Sequence, residues 1–553
     1  LNLSDILNIT RAGPAGYFDS TGTYKQATAN VAREDYDPAT IVAQNAIRNS
    51  AAAGAVAGTP GTAPTNWTFV VPSGLTGTVV GTGTENGTPY VEYRWAGTVN
   101  AAGQILIAYF ESGAGSPAAS SGQTWTNSAS VRLTGGSLAG VNMVIGMDEL
   151  DAGNALLVGG TVAFAPSAAA LGTSRPAYTR TLTNASTAKV RPYVYSALAN
   201  GATIDITLRI GLPQLEQGSV ARAPIATTGT AYKLCAKRGL LVEEPRTNLL
   251  TWSEQFDNAV WVKTATVTAN QAIAPDGTAT ADQLASTGAD QLVEQIASAT
   301  AGIAYTFTVW VKTVSVATTL DIKLAKNSDG AAFASQSITT TGTWQRVTLT
   351  GTAPVGETAI RARIGGGSTF STGETLYVWG AQLEAGAAAS SYIPTTLAAI
   401  ARPGDAIAFK SMSPFKMTEG TFFAEFMQNS TAASQYIFAL SDGTASNCIA
   451  AFRAGGGAIQ PRITIGGTAY DPTASAPIAA GATVKIAMRV KPGDSALAVN
   501  GQVYASSAPP SLPTVTQAEI GALVAATFMN GWLRRFSFTP QGAANADLVS
   551  MTA

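Results

Sequence analysis

The pentapeptide Gln214-Leu215-Glu216-Gln217-Gly218 returns as Gln382-Leu383-Glu384-Ala385-Gly386, an offset of 382 − 214 = 168 residues. Without a gap, the same offset lays Thr207-Leu208 on Thr375-Leu376, Ile210 on Val378, Ile225 on Ile393 and Thr227-Thr228 on Thr395-Thr396. A period this long belongs to a duplicated domain, since solenoid repeats run about 20–50 residues. The chain is therefore expected to be modular. Its 553 residues leave room for roughly three or four domains of about 150 residues, each able to bury its own core.

Charged residues are 12% of the chain, against about 25% in ordinary globular proteins. Gly, Thr, Ala and Ser fill the difference. That composition suits short strands and tight turns, and it starves surface helices of the Glu and Lys their wet face needs. The predicted fold class is all-β: tandem antiparallel β-sandwiches of jelly-roll type, with little helix. Residues 1–44 are short and polar, with turn signals at Gly13-Pro14-Ala15-Gly16 and Asp35-Tyr36-Asp37-Pro38. They read as a stem or attachment segment. Residues 45–236 hold the first copy and 237–402 the second. In the second, Tyr305, Phe307, Val309 and Val311 share one strand face, opposite Thr306, Thr308, Trp310 and Lys312. A third sandwich is expected over 403–553. There Asn500-Gly501 lies between alternating apolar residues, the pattern of a type I′ hairpin.

Lys plus Arg is 33 and Asp plus Glu is 34. No basic stripe exists to neutralise a phosphate backbone, so nucleic acid is not an expected partner. A net charge near zero favours association, which places the chain inside a larger assembly. With no His, Ser-His-Asp and Cys-His chemistry and most zinc sites are excluded. Two-carboxylate hydrolysis is not. Cys235 and Cys448 fall in different modules and imply no disulfide framework. No twenty-residue apolar span suggests a transmembrane helix. The start, Leu1-Asn2-Leu3-Ser4-Asp5, shows no secretory signal and no initiator Met, so the numbered chain is expected to omit a few residues.

One constellation in the second copy points to binding. Trp310, Trp344, Tyr377 and Trp379 lie on strand faces opposite the aliphatic residues. Flat aromatics stack on the apolar C–H faces of sugars, and Arg346, Gln345, Arg361 and Arg363 would bond the hydroxyls. The competing reading is that these aromatics bury against a loop, a neighbouring module or another subunit, since Trp is highly buried on average. The first copy keeps the signature but has Gly211 for Trp379 and Arg209 for Tyr377. There Trp67, Tyr93 and Trp95 read as core. The carboxylates Asp148, Glu149, Asp151, Glu243, Glu244 and Asp442 form no acid motif, and no cofactor is implied. Asp442 and Asn447 read either as helping to ligate a structural calcium or as turn formers.

Tyr17-Phe18-Asp19-Ser20-Thr21-Gly22, Ala29-Asn30-Val31-Ala32-Arg33, Asp35-Tyr36-Asp37-Pro38 and Arg238-Gly239-Leu240-Leu241-Val242-Glu243-Glu244 resemble segments of phage head-spike and fibre-domain proteins. So do Trp252-Ser253-Glu254-Gln255-Phe256-Asp257, Ala274-Pro275-Asp276-Gly277-Thr278 and Val378-Trp379-Gly380-Ala381-Gln382-Leu383-Glu384. In that family Asp-Tyr-Asp-Pro runs almost directly into Arg-Gly-Leu-Leu-Val-Glu-Glu, whereas here residues 41–236 intervene. The resemblance implies a module inserted into a stem, with residues 1–40 near 237–250. It also implies carbohydrate-binding jelly rolls and a C-terminal concanavalin A or laminin-G sandwich. The expected function is a non-enzymatic spike or fibre subunit on a virion surface, binding host surface polysaccharide. Its expected partners are other virion proteins and further copies of itself, a trimer being favoured. The alternatives are a structural decoration or spacer and a capsule-degrading glycosidase.

Overall fold

The computed structural model describes residues 3–111, 113–314, 318–367, 370–415, 418–429, 434–524 and 526–553, so Leu1 and Asn2 of the opening segment lie outside it. The fold is all-β, and the chain forms two compact units: residues 1–37 with 237–553, and residues 38–236.

The 38–236 unit is the first copy. Its strands are β1 (Thr68–Val70), β2 (Leu75–Glu85), β3 (Thr88–Thr98), β4 (Gln104–Tyr109), β5 (Thr124–Gly136), β6 (Val144–Leu150), β7 (Leu156–Ala163), β8 (Ala177–Thr181), β9 (Lys189–Leu198) and β10 (Thr203–Gln217). They form two 5-stranded antiparallel sheets, ordered β7-β6-β9-β4-β1 and β8-β5-β10-β3-β2. Trp67, Tyr93 and Trp95 lie in the core between them.

The second copy runs through β11 (Val262–Lys263), β12 (Thr266–Ala272), β13 (Ala281–Ala285), β14 (Leu292–Ser298), β15 (Ala304–Thr313), β16 (Thr319–Lys326), β17 (Ala332–Thr339), β18 (Gln345–Thr352), β19 (Ala359–Gly365) and β20 (Thr375–Ala385). Its sheets are ordered β17-β16-β19-β14-β11 and β18-β15-β20-β13-β12. Strand for strand this is the first topology again. Phe307, Val309, Val311, Leu376 and Val378 fill its core.

The repeated signature is a buried polar lock. Gln214, Glu216, Gln382 and Glu384 are fully buried, so each must find partners inside the protein. Gln214 donates to Glu216 and accepts from the Ile225 amide, as Gln382 does with Glu384 and Ile393. The side chain of Asn45 donates to the carbonyls of Pro213 and Ile225 and accepts from the Leu215 amide. Asn248 repeats this with Ala381, Ile393 and Leu383. Each lock thus fastens the chain entering a module to the chain leaving it.

The third sandwich has two 7-stranded sheets. One contains Leu7–Thr10, Ala406–Phe409, Gln517–Ile520, Gln435–Ser441, Cys448–Arg453, Ile459–Ile465 and Thr468–Ala469. The other contains Gln502–Val503, Ala496–Val499, Thr483–Val490, Gly420–Gln428, Gly531–Thr539, Tyr232–Val242 and Glu34–Asn45. Phe422, Phe438, Ile449, Ile486 and Met488 fill the space between. The expected boundaries at 44 and 403 therefore need correcting. Strands from the 1–44 and 237–402 segments complete this sandwich, because its edge positions are filled by pairing with chain made hundreds of residues earlier. At the hairpin tip, Asn500 (φ 46°) and Gly501 (φ 83°) both take the positive φ that a type I′ turn requires. A short helix, Asn545–Thr552, packs Leu548 against Ala487 and its neighbours. Among the described residues no helix is long and apolar enough to cross a membrane.

Where the second module joins this sandwich, five charges are buried together. Arg33 bonds Glu243 at 2.5 Å and also pairs with Asp405. Arg11 reaches Asp405 at 2.8 Å, and Arg402 reaches Glu243 at 3.2 Å. Burial by itself would raise the Glu243 pKa. Arg402, Arg33 and the Ser391 hydroxyl outweigh it and bring the carboxyl from 4.5 down to about 2. Between those values the unfolded chain binds the proton that the folded chain refuses, so this carboxylate's stabilisation is complete above pH 4.5 and is lost as pH falls toward 2. A Glu243→Gln variant, followed by chemical denaturation from pH 7 to 2, is expected to start less stable and to show a flatter acid limb. A limb as steep as the parent's would count against this account.

Candidate functional site

On β9, Val190, Val194 and Leu198 point into the first module's core. Alternation then turns Arg191, Tyr193 and Tyr195 to the outer face of the sheet. Register places Tyr193 between Gly146 of β6 and Tyr109 of β4, and Arg191 opposite Asp148. Gly146 makes room for this packing: a Cβ there would stand 2.7 Å from Thr161 and 3.1 Å from the Tyr193 ring. Gly159 on β7 does the same beside Asp148, whose Oδ1 would lie 2.7 Å from an added Cβ.

The side chains hold one another. Arg191 donates to Asp148 Oδ2 from Nη2 at 2.6 Å and from Nε at 3.1 Å. Its guanidinium carbon sits 4.3 Å over the Tyr109 ring centroid. The Tyr109 and Tyr193 centroids are 5.8 Å apart in an edge-to-face arrangement, and those of Tyr193 and Tyr195 are 5.6 Å apart. Tyr193 is buried, while Tyr109 and Tyr195 are partly exposed. Burial, then the nearby Asp148 carboxylate, pushes the Tyr193 phenol up, and burial does the same to Tyr109. Both therefore stay protonated at neutral pH. The face offers two partly open aromatic rings beside a fixed Arg–Asp pair, which suits a polyol with one apolar side. Asp148 and its neighbour Glu149 point to opposite sides of β6. Glu149 is turned to Arg180, Thr183, Asn184 and Thr187, so the two do not form an acid–nucleophile pair.

The expected stripe of the second module is arranged otherwise. Trp379 is fully buried and Trp310 is 4% exposed. An N-terminal hairpin, Ala15–Phe18 with Tyr24–Ala27, covers them. Tyr24 packs 5.8 Å from Trp310 and 6.2 Å from Trp379 between centroids, Phe18 lies 6.0 Å from Trp310, and Tyr392 lies 4.8 Å from Trp379. Trp379 Nε1 donates to Thr280 at 3.0 Å. These two indoles therefore present no face to a ligand in this structure: removing their large apolar surface from water holds the hairpin down. Trp344 is partly buried at the edge of the cluster and donates to the Ile273 carbonyl at 3.0 Å. Arg346 donates to Thr308 at 3.1 Å. Tyr377 is partly exposed and lies outside the cluster. Arg361 and Arg363, expected beside the stripe, stand on β19 of the other sheet.

In the sequence the tyrosine face stands out less than the tryptophans. Its signal there is the period-two alternation of Arg191, Tyr193 and Tyr195 against Val190 and Val194. In the third sandwich, Asp442 is occupied by Thr444 and Asn447 as a turn former. Among the described residues no group of three or more acidic, His or Cys side chains could hold a metal ion.

No family model matches the chain, and no curated protein matches it. Among solved structures, the CBM40 of the Ruminococcus gnavus IT-sialidase, bound to α2,3-sialyllactose, is similar over 25% of this chain and 83% of its own, at 17% identity and a TM-score of 0.22. The tandem CBM22-1-CBM22-2 of Paenibacillus barcinonensis Xyn10C covers 60% of this chain and 99% of its own, at 12% identity and a TM-score of 0.21. Domains LG4-5 of the mouse laminin α1 chain cover 48% and 92%, at 11% identity and a TM-score of 0.21. At such scores the likenesses carry no functional weight, and the reading below rests on this chain's own residues.

Proposed function

We propose that this chain is a non-enzymatic spike or fibre subunit of a phage or phage-like particle that binds a surface polysaccharide of its host. The observation that carries the binding is the outer face of the first module, where Tyr109 and Tyr195 lie partly open beside the Arg191–Asp148 pair. The particle assignment draws on the sequence resemblance over residues 1–40 and 237–402. Binding is by stacking and hydrogen bonds. In a homo-oligomer such as a trimer, weak single sites multiply into useful avidity.

A Tyr109→Ala, Tyr195→Ala double variant should keep its thermal transition and lose about tenfold or more in affinity on a glycan array. Tenfold corresponds to about 1.4 kcal/mol, within reach of two aromatic contacts. Unchanged binding by the folded variant would remove this face from the function. A spacer or decoration role is the second reading, favoured by the use of Trp310 and Trp379 as interior packing. Failure of the full chain to bind any host envelope fraction would select it.

A further inference from the structure

The offset that lays Gln214 on Gln382 lays Tyr193 on Arg361 and Tyr195 on Arg363 (361 − 193 = 168). Both arginines alternate on β19 with Ile360, Ala362 and Ile364, which are buried in the second module's core. They therefore face outward from the same sheet position as the tyrosines. Across β14, Glu294 pairs in register with Arg363. Its Oε1 accepts from Arg361 Nη1 at 2.6 Å and its Oε2 from Arg363 Nε at 2.7 Å. Each guanidinium is thus held by one bond to the shared carboxylate, not clamped by two. Arg361 Nη2 reaches the Asn327 carbonyl at 3.2 Å, and Arg363 Nη1 reaches that of Gly330 at 3.4 Å. Arg363 Nη2 has no hydrogen bond among the described residues.

Across β16, Lys323 pairs in register with Arg363. It lies 3.2 Å from Asp321 and donates to the Gly366 carbonyl. Two further carboxylates lie nearby: Glu357, turned onto Asn327 and Ser328, and Asp329, paired with Lys326. Arg361, Arg363 and Lys323 thus share the carboxylates of Glu294 and Asp321 on one partly buried sheet face, with the exposed Ile296 beside them. Planar guanidiniums with free N–H groups are suited to oxyanions.

Building on the glycan-binding reading above, we propose that this face binds an oxyanion carried on a sugar, either a carboxylate or a sulfate ester. The two modules then take different glycan features, an apolar sugar face in the first and an acidic substituent in the second, each at its own site.

The test uses the full chain and three immobilised probes: oligogalacturonate, sulfated dextran fragments and the best neutral glycan from the array. The parent is expected to bind one acidic probe, with affinity falling as salt rises. Arg361→Ala with Arg363→Ala should cost at least tenfold on that probe and leave the neutral glycan unaffected. If that variant fails to fold, Arg361→Gln with Arg363→Gln removes both positive charges and keeps polar groups that can still bond Glu294, and the same loss is expected. The two acidic arms tell carboxylate from sulfate. Neutral binding without acidic binding overturns this inference alone, as does parent-like acidic binding by a folded variant. Binding of no glycan at all overturns both this inference and the reading beneath it.

Discussion

Replacing Arg33 with alanine is expected to destabilise the unit that holds it by about 3–5 kcal/mol. The side chain is fully buried, and it bonds Glu243, Asp405, Ser391 and the Gly16 carbonyl. Removing it leaves each buried carboxylate a single arginine, Arg11 on Asp405 and Arg402 on Glu243, and takes away the bonds Arg33 made to both. Breaking one side of a buried pair costs far more than the pair contributes, because the remaining charge keeps its desolvation penalty. Calorimetry of parent and variant would show the affected transition fall by many degrees, while that of the 38–236 unit stays in place. A shift equivalent to less than about 1 kcal/mol, the scale of an exposed pair, would mean that the cluster is wetter than its geometry implies.

Trp379→Ala should be nearly as costly, at about 3–5 kcal/mol for a large aromatic removed from a packed site. The indole is fully buried among Tyr24, Tyr392 and Trp310, and it loses its bond to Thr280. The sequence alone suggests a sugar platform at this residue, and the two roles separate cleanly. A platform would lose affinity and keep stability. The buried indole should lose stability and release the Ala15–Phe18 hairpin, with glycan affinity per folded molecule unchanged. Urea denaturation with limited proteolysis at the hairpin, together with the array, measures all three. Loss of binding at parental stability would restore the platform reading.

What was legible in the chain was local or repeated. Period-two alternation assigned Phe307, Val309 and Val311 to the core and Trp310 to the opposite face, and both assignments hold in the structure. Asn500-Gly501 was readable because the turn and its flanking strands are contiguous. The repeat announced two copies because one offset serves strands, lock and loop alike. What covers Trp310 and Trp379 was not legible, since Phe18 and Tyr24 lie some three hundred residues away and alternation says which face is free, never who sits on it. The tyrosine face escaped for a related reason: a polar-looking strand face is the ordinary solvent side until three rings are seen to share it. The fastening role of Gln214 and Gln382 needed Asn45 and Asn248, whose spacing to the signature differs between the copies.

The pairing of Leu7–Thr10 with Ala406–Phe409 sets a timetable. Leu7 faces Phe409 across 409 − 7 = 402 residues. At about 5–20 residues per second on the ribosome, the first strand waits roughly 20–80 s before its neighbour exists. Both copies of the repeat are synthesised in full during that wait, and their cores draw on segments already made. Arg33 is in the same position, because Asp405 arrives late. A segment made before either copy of the repeat is thus among the last to find its place.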